Sequence, residues 1–387
     1  MCSAIDRSTA VGTMDELITP KVVRALTDSL MAASSSLEPS QLRKAEGAIL
    51  EKKLRQRVDL VRDALLADVR GDFAGMQHVI TQGLKQKRFA GWMIWPVTEA
   101  VSARALASGS VHDFDAGMDL LAQLTPRLSS EFAVRDLLNA RPERALAKMT
   151  EWAADDDEHV RRLATEGSRA YLPWARKVAW LIENPRATRA ILDTTYRDSS
   201  EYVRRSTANH LNDLSRVDAS VVTDIATGWA VAPDANTPWV TRHGLRTLLK
   251  RADPTALSLV GFTGSELDVT KPELAEDTVA WGGSIRFTAR VTNRGPTEAL
   301  VAIDYLMGFV RASGTISQKA FKLAVRRIPA GETIEISKAH SFRSITTRSY
   351  YPGGHSVTVQ ANGVVSEPVY FVLRRDIERK DERDEPH

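Results

Sequence analysis

The sequence predicts a mainly α fold, an α-helical solenoid followed by a smaller all-β sandwich domain. Three observations carry that reading. Apolar residues recur at three- and four-residue steps from Asp15 to about Phe262. Within that stretch one helix is written more than once, most visibly in "DDDEHVRRLATEGSRAYLPWA" (155–175) and "SSEYVRRSTANHLNDLS" (199–215). Beyond Phe262 the texture changes to short segments of alternating apolar and polar residues with turns between them.

The elements follow in order. Residues 1–13 read as a disordered leader. "LRQRVDLVRDALLADV" places Leu54, Val58, Val61, Leu65 and Val69 on one helical face. "VHDFDAGMDLLAQLTPRL" and "RPERALAKMTEWAADDD" continue as short helices with proline or acidic residues at their starts. "SSEFAVRDLLN", "DDEHVRRLATEG", "SSEYVRRSTANHLN" and "NTPWVTRHGLRTLL" then align by hand. Ala133, Val160, Val203 and Val240 share one column, and Arg135, Arg162, Arg205 and Arg242 another, at spacings of 27, 43 and 37 residues. Irregular spacings of this size bracket helical-hairpin repeats of the HEAT and armadillo kind, which stack into a curved solenoid with a concave face. From residue 263, "SIRFTARVTN", "TIEISKAHSF", "HSVTVQANG" and "PVYFVLR" read as strands, with "NRGP", "PAGE" and "PGG" as turns. About 110 residues of this texture suit an immunoglobulin-like sandwich. The expected domains are therefore 14–262 and 263–375, with a disordered charged tail at 376–387.

Composition bounds the function. The chain has 387 residues, 43% hydrophobic and 26% charged, enough for two or three domains with substantial cores. A net charge of +3 does not by itself announce a nucleic-acid binder. Its distribution says more: residues 260–375 carry 14 basic against 10 acidic side chains, and the tail carries 3 against 6. The one cysteine, Cys2, excludes an intrachain disulfide and a thiolate zinc cluster. The first twenty residues lack the apolar core of a signal peptide, and no run approaches 18 apolar residues, so a soluble, cytoplasmic protein is expected. The eight histidines form no HExxH or similar ligand spacing, and neither a metal nor another cofactor is expected.

The polar columns are more informative. Arg162, Glu166 and Arg169 stand at i, i+4 and i+7, and Arg205, Asn209 and Asp213 at i, i+4 and i+8. "WVTRHGLRTLLKR" offers Arg242, Arg246 and Lys250 as one ridge. Isolated stripes of this sort are ordinarily solvated faces, with ion pairs worth about 0.3–0.5 kcal/mol each. In adjacent repeats the arginines would stack and repel unless an anion lay across them, and a phosphate backbone is the obvious anion. Glu166 and Asp213 have no place beside phosphates unless they face something cationic. Trp174 supplies a π face nearby, or else an indole buried between helices. His210 is a phosphate contact or a packed neutral histidine, and Trp239, at the start of its helix, a hydrophobic staple rather than a base contact.

These motifs, with "RVDLVRDALLADVRGDF" and "WMIWPVTEAV" upstream, resemble the AlkC branch of the HEAT-like alkylpurine DNA glycosylases from about Met14 to Phe262. Many members of that branch also carry a C-terminal Ig-like domain. Two departures stand beside the site: Ala170 and Tyr171 where the family has proline and a basic residue, and Asp136 where it has proline. The resemblance implies hydrolysis of the N-glycosidic bond of small N-alkylated bases, such as 3-methyladenine and 3-methylcytosine, in double-stranded DNA. It also implies that the damaged base is not fully flipped out, hence no deep aromatic pocket. Such a base is already cationic and leaves easily, whereas the sugar acquires oxocarbenium character that a carboxylate stabilises. Carried over residue by residue, the catalytic carboxylates are Asp213, Glu166 and Glu131. Trp174 and Arg169 contact the lesion or its sugar, and Arg162, Arg205, Arg242, His243, Arg246 and His210 contact DNA. A monomer is expected.

The Ig-like segment adds Lys319, Lys322, Arg326, Arg327, Lys338, Arg343 and Arg348 against Glu332 and Glu335 between residues 315 and 350. That is either a solvated sandwich edge or a grip on the duplex through the minor groove. The alternatives to an enzyme are a non-catalytic HEAT-repeat DNA-binding scaffold and a protein-interaction adaptor with an Ig-like arm.

Overall fold

A computed structural model describes residues 14–262, 266–344 and 348–375. The leader 1–13 and the tail 376–387, both expected to be disordered, lie outside the described residues. The chain divides into two compact units, separated in sequence between Gly244 and Leu245.

The first unit is helical throughout its described residues, from the 3-10 turn Met14–Leu17 to the helix Thr237–Gly244. Helix starts are marked by local chemistry. The Thr19, Asp72 and Asp218 side chains accept from backbone N–H groups three or two residues on, and Pro20 and Pro142 occupy first turns. The helix Leu54–Asp68 buries Val58, Val61 and Leu65, as the apolar spacing predicts, and packs on the helix Ile94–Ala107. Ile94–Ala107 is buried on every side from Ile94 to Ser102, which makes it the unit's central helix. Phe73, Phe89, Phe114 and Met118 fill the core around it, each worth roughly 2 kcal/mol of burial.

The later helices come into contact in succession: Glu158–Gly167 on Glu201–Leu214, and Glu201–Leu214 on Thr237–Gly244. Gly167 ends its helix where a Cβ would lie 2.8 Å from Val134 Cγ1, so only glycine lets this helix reach the helix Val134–Ala140. Glu201–Leu214 buries Val203, Thr207, Leu211 and Leu214 as expected, and buries Ser206, His210 and Asp213 as well. No helix among the described residues is long and apolar enough to cross a membrane.

The second unit begins with two short helices, Arg246–Lys250 and Pro254–Leu259, and continues as ten strands among the described residues. These are β1 (Leu267–Val269), β2 (Glu273–Leu274), β3 (Thr278–Ala280), β4 (Ser284–Asn293), β5 (Ala299–Val310), β6 (Ile316–Ile328), β7 (Thr333–Ser341), β8 (Gly353–Ala361), β9 (Val364–Val365) and β10 (Val369–Arg374). In one sheet β4 pairs with β7 on one edge and with β1 and β2 on the other. The other runs β3-β10-β8-β5-β6, with β9 beside β8 and a parallel β3–β10 pair. Alternate residues of β4 and β5 point into a core of Phe287, Val291, Val301, Ile303 and Met307. The β8–β9 turn is Asn362-Gly363, both with positive φ (43° and 92°), the backbone a two-residue hairpin requires. The strands β5 and β6, absent from the sequence reading, form the longest pairing of the unit. "PGG" is not a separate turn, since β8 starts at its first glycine.

Candidate active site

The site is built where the Glu158–Gly167 helix lies against Glu201–Leu214. Ser206 Oγ donates to Glu166 Oε2 at 2.6 Å, and Thr165 Oγ1 donates to Ser206 Oγ at 2.6 Å. Arg169 joins the carboxylates of the two repeats. Its Nη1 bonds Glu166 Oε1, while Nε and Nη2 reach Asp213 Oδ2 at 2.8 and 2.7 Å. Arg162 Nη1 pairs with Glu131 Oε2 and donates to Ser129 Oγ at 2.9 Å, with its Nη2 3.6 Å from Glu166 Oε1. Ser129 Oγ donates to Glu131 Oε2 at 2.9 Å. Glu131, Glu166 and Asp213 thus form one continuous network with Arg162 and Arg169. Arg169 lies beyond the helix end at Gly167, so the expected i, i+4, i+7 stripe does not run along a single helix.

The two inner carboxylates are tuned apart. Burial disfavours the charge on both. At Glu166 it is outweighed by Arg162, Arg169 and the Ser206 hydroxyl, which leave its pKa below the ordinary value. At Asp213 burial prevails over Arg169 and raises the pKa. Both guanidinium contacts to Asp213 fall on Oδ2.

Trp174 is not the buried indole that its packing alternative required. It is 84% exposed, with backbone φ at 61°, in the left-handed region. Its loop is held from behind by Arg135, a side chain with no exposed surface. Arg135 donates to the carbonyl oxygens of Arg176 (2.6 Å), Gly167 (3.1 Å), Arg169 (2.7 Å) and Ala170 (3.2 Å). Asn139 adds a bond to Lys177 O at 3.3 Å. Sequence reading placed Arg135 in the arginine column but gave it no role. A half-open cleft of about 230 Å³, bordered by Phe132 and Trp174, lies beside this loop.

The arginines expected to await an anion have partners inside the protein. Arg162 is neutralised by Glu131 and Glu166 and lies 5.3 Å over the Tyr202 ring. Arg205 pairs with Glu201 on an exposed surface. Arg242 is exposed, and His243 stacks on Trp239 at 5.1 Å with its Nε2 3.1 Å from Asn209 Oδ1. Trp239 is therefore half-exposed and stacked, not a staple. Arg242 lies near the end of the helix Thr237–Gly244, and Arg246 begins the separate helix Arg246–Lys250. His210 as a phosphate contact is corrected. It is fully buried between Thr188 Oγ1 (3.1 Å) and Thr165 O (2.9 Å), and burial pushes its pKa down to about 4. In the second unit Lys319, Lys322, Arg326 and Arg327 lie exposed on β6, an edge strand.

Fold and site together define a helical-repeat protein with a buried carboxylate–arginine network, joined to an Ig-like sandwich. Comparison with known proteins narrows the class. A family profile described as "DNA alkylation repair enzyme" matches residues 127–248, and one described as "Uncharacterised protein YhaZ, C-terminal Ig-like domain" matches residues 268–375. The uncharacterized protein YhaZ of Bacillus subtilis is 34% identical over 252 residues, 65% of this chain and 70% of the relative. The structure of Pseudomonas fluorescens alkylpurine DNA glycosylase AlkC bound to DNA containing an abasic site analog superposes with a TM-score of 0.76. It is 30% identical and covers 94% of this chain and 100% of its own. The chain belongs to the AlkC-type branch of the HEAT-like DNA alkylation repair family.

Proposed function

We propose that this protein is a DNA glycosylase that removes N3-alkylated, positively charged bases, 3-methyladenine and 3-methylcytosine among them, from double-stranded DNA. The observation that carries the reading is the Glu166–Arg169–Asp213 bridge, two buried carboxylates of unlike proton affinity joined by an arginine whose Arg135-held loop also carries the exposed Trp174. Family membership supports it, as does the DNA in the AlkC structure. Charge drives the chemistry. Breaking the glycosidic bond sends its electron pair to the cationic base, which leaves neutral, and the positive charge moves to the sugar. Glu166, held ionised by Arg162 and Arg169, stabilises that oxocarbenium-like sugar. Asp213, whose proton affinity is raised, takes a proton from the water that adds to C1′, using the oxygen Arg169 does not engage. Glu131 fixes Arg162 from the outer side. Trp174 packs against the lesion nucleotide, and Arg205 and Arg242 contact the backbone. The base is not fully extruded from the duplex. No cofactor takes part, and one hydrolysis leaves an abasic site.

The test is chromatography of free bases released from methylated duplex DNA. Release of 3-methyladenine or 3-methylcytosine by the wild type, and its loss in Asp213→Asn, is the expected result. No release by folded, DNA-bound protein would replace the enzyme by a DNA-binding scaffold.

A further inference from the structure

We propose that Ser206, backed by Thr165, is a positioning residue for the reaction: its hydroxyl fixes Glu166 as the carboxylate that stays charged and stabilises the sugar, so that the proton of the attacking water goes to Asp213. The inference rests on the glycosylase reading and adds to it the element that divides the work between the two inner carboxylates.

The sequence of the repeat marks the pair. With Val160 and Val203 in one column, Ser206 falls where the preceding copy has Leu163, and Thr165 where the following copy has Ala208. All four are buried. Leucine and alanine are what a helix–helix contact needs, whereas a buried hydroxyl adds a desolvation cost that only a hydrogen bond offsets. The two departures meet face to face. Thr165 Oγ1 lies 2.6 Å from Ser206 Oγ, which lies 2.6 Å from Glu166 Oε2.

One ridge of the helix Glu201–Leu214 lies along the preceding repeat's half of the network. Tyr202, Ser206, His210 and Asp213 follow one another at three- and four-residue steps. They meet in turn the Arg162 guanidinium (5.3 Å), Glu166 Oε2 (2.6 Å), Thr165 O (2.9 Å) and Arg169 Nη2 (2.7 Å). Glu166 is thus held on both oxygens from different sides, Oε1 by Arg169 and, farther off, Arg162, and Oε2 by Ser206. Among the described residues Ser206 alone donates a hydrogen bond to Oε2. The other titratable groups facing Glu166 are Glu131 across Arg162, Asp213 across Arg169, the Tyr202 phenol and the buried His210.

Each hydroxyl has one proton, so the chain of bonds has a direction. Ionised Glu166 can only accept. Ser206 then donates to it, which leaves Ser206 Oγ open to accept from Thr165 Oγ1. Thr165 Oγ1 has a second acceptor, Arg162 O at 2.9 Å, to which its proton turns when Ser206 does not take it. A protonated Glu166 reverses the direction and exchanges a bond to a charged acceptor for one between neutral groups, about half as strong. The hydroxyl pair therefore favours the charged form of Glu166, in the same sense as Arg162 and Arg169. Among the described residues no hydroxyl donates to Asp213, whose close contacts both come from Arg169, on Oδ2. Of the two carboxylates it is the one left able to take a proton.

The test uses the full chain. Its first readout is the titration of Glu166, followed by carboxyl-carbon NMR of glutamate-labelled protein and assigned with Glu166→Gln. Ser206→Ala is a mild change, because Thr165 keeps Arg162 O as an acceptor and no buried donor is left unpaired. In Ser206→Ala the Glu166 titration is expected to move up by about one pH unit, and in Ser206→Thr, which keeps the donor, to return to within about half a pH unit of wild type. The second readout is single-turnover base release from methylated duplex DNA. For Ser206→Ala the ratio of variant to wild-type rate should fall by about twofold or more between about pH 7.5 and 5, and for Ser206→Thr it should stay level. A packing defect would lower the rate by one factor at every pH. An unmoved Glu166 titration in Ser206→Ala, an equal shift in Ser206→Thr, or a Ser206→Ala rate ratio independent of pH would each overturn the proposal. The titration needs no turnover, so the readings separate. A shifted Glu166 in a protein that releases no base fails the glycosylase, and base release with an unshifted Glu166 fails the role of Ser206.

Discussion

Arg135→Met keeps most of a side chain's volume while removing all five of its donors. Those donors hold the carbonyls of Gly167, Arg169, Ala170 and Arg176 at 2.6–3.2 Å, with the guanidinium fully buried. Burial first, and then the neighbouring Arg169, bring the pKa of Arg135 down to about 10, which still leaves it charged at neutral pH. Each bond from a charged donor contributes about 1.5–3 kcal/mol, offset by the several kcal/mol of taking a guanidinium out of water. The substitution removes that desolvation cost but leaves buried carbonyls unpartnered, so the net loss expected for the first unit is about 3–5 kcal/mol. Denaturant unfolding followed by far-UV ellipticity measures it, because the helices lie chiefly in the first unit. Below the transition a second effect appears. The loop carrying Arg169 and Trp174 loses its template, and misplacement of about 1 Å costs on the order of a hundredfold in rate. Base release should therefore fall by about that factor in protein that is still folded and still binds duplex within threefold of wild type. Arg135→Lys, with three donors on one point, should recover part of the stability and less of the rate. A fully stable, fully active Arg135→Met protein would refute the reasoning.

Further outcomes are expected around Asp213, Trp174, the buried histidines and Arg205. Asp213→Asn should abolish most base release while holding or raising DNA affinity, since a negative charge facing phosphates is removed. In the wild type, base release should fall as pH drops through an Asp213 pKa above the ordinary carboxylate value, read from single-turnover rates. Trp174→Gly should stay within about 1 kcal/mol of wild-type stability, because relief of the left-handed strain offsets the lost contacts of an exposed ring, yet lose base release. Buried His210 and His340 both have pKa values pushed down to about 4 by burial, so below 6.5 the unfolded chain binds protons the folded chain refuses. Stability is then full above pH 6.5 and declines between 6.5 and 4, by roughly 3 kcal/mol for His210 alone, which acid titration of the unfolding midpoint checks. Arg205→Ala, losing only an exposed pair, should leave stability unchanged and weaken binding to all duplexes alike, lowering the salt slope by about 1.

Much of the architecture was legible because it rests on periodicity. The stripe Val58, Val61, Leu65 and the alternation of "SIRFTARVTN" are statements about which face is apolar, and the faces are buried accordingly. β5 and β6 escaped notice for a physical reason. β5 is apolar on nearly every residue, and β6 carries half-buried and basic residues in no strict alternation, so neither has the period of two. In the site, the clustering of Glu131, Glu166, Arg169 and Asp213 follows from residues that sequence singled out, whereas the Arg55–Glu99–Trp95 group did not register. Arg55 stands 44 residues from its partner Glu99 in the chain, and a buried glutamate looks no different in sequence from a solvated one.

The repeated helix shows where such reading stops. Arg161 and Arg204 occupy equivalent places in the two copies and make the same pair of backbone bonds, to which Arg161 adds an ion pair with Asp198. Arg161 Nη1 donates to Asp155 O and Asp156 O at 2.8 and 2.9 Å, and Arg204 Nη1 donates to Asp198 O and Ser199 O at 2.6 and 2.8 Å. That arginine belongs to the repeat and clamps each helix start. The neighbouring column, Arg135, Arg162, Arg205 and Arg242, recurs as faithfully but diverges in environment. Arg135 is sealed against backbone carbonyls, Arg162 is paired with two carboxylates, Arg205 is paired with one exposed glutamate, and Arg242 is exposed. Burial falls along the column, and the role changes with it, from templating a loop, to polarising carboxylates, to lying on an outer surface. A charge in the column means little until its desolvation is known, because an arginine out of water must be answered by the protein and one in water need not be. The carboxylate–arginine network therefore sits at the column's middle, where Arg162 is dry enough to help Arg169 hold Glu166 ionised.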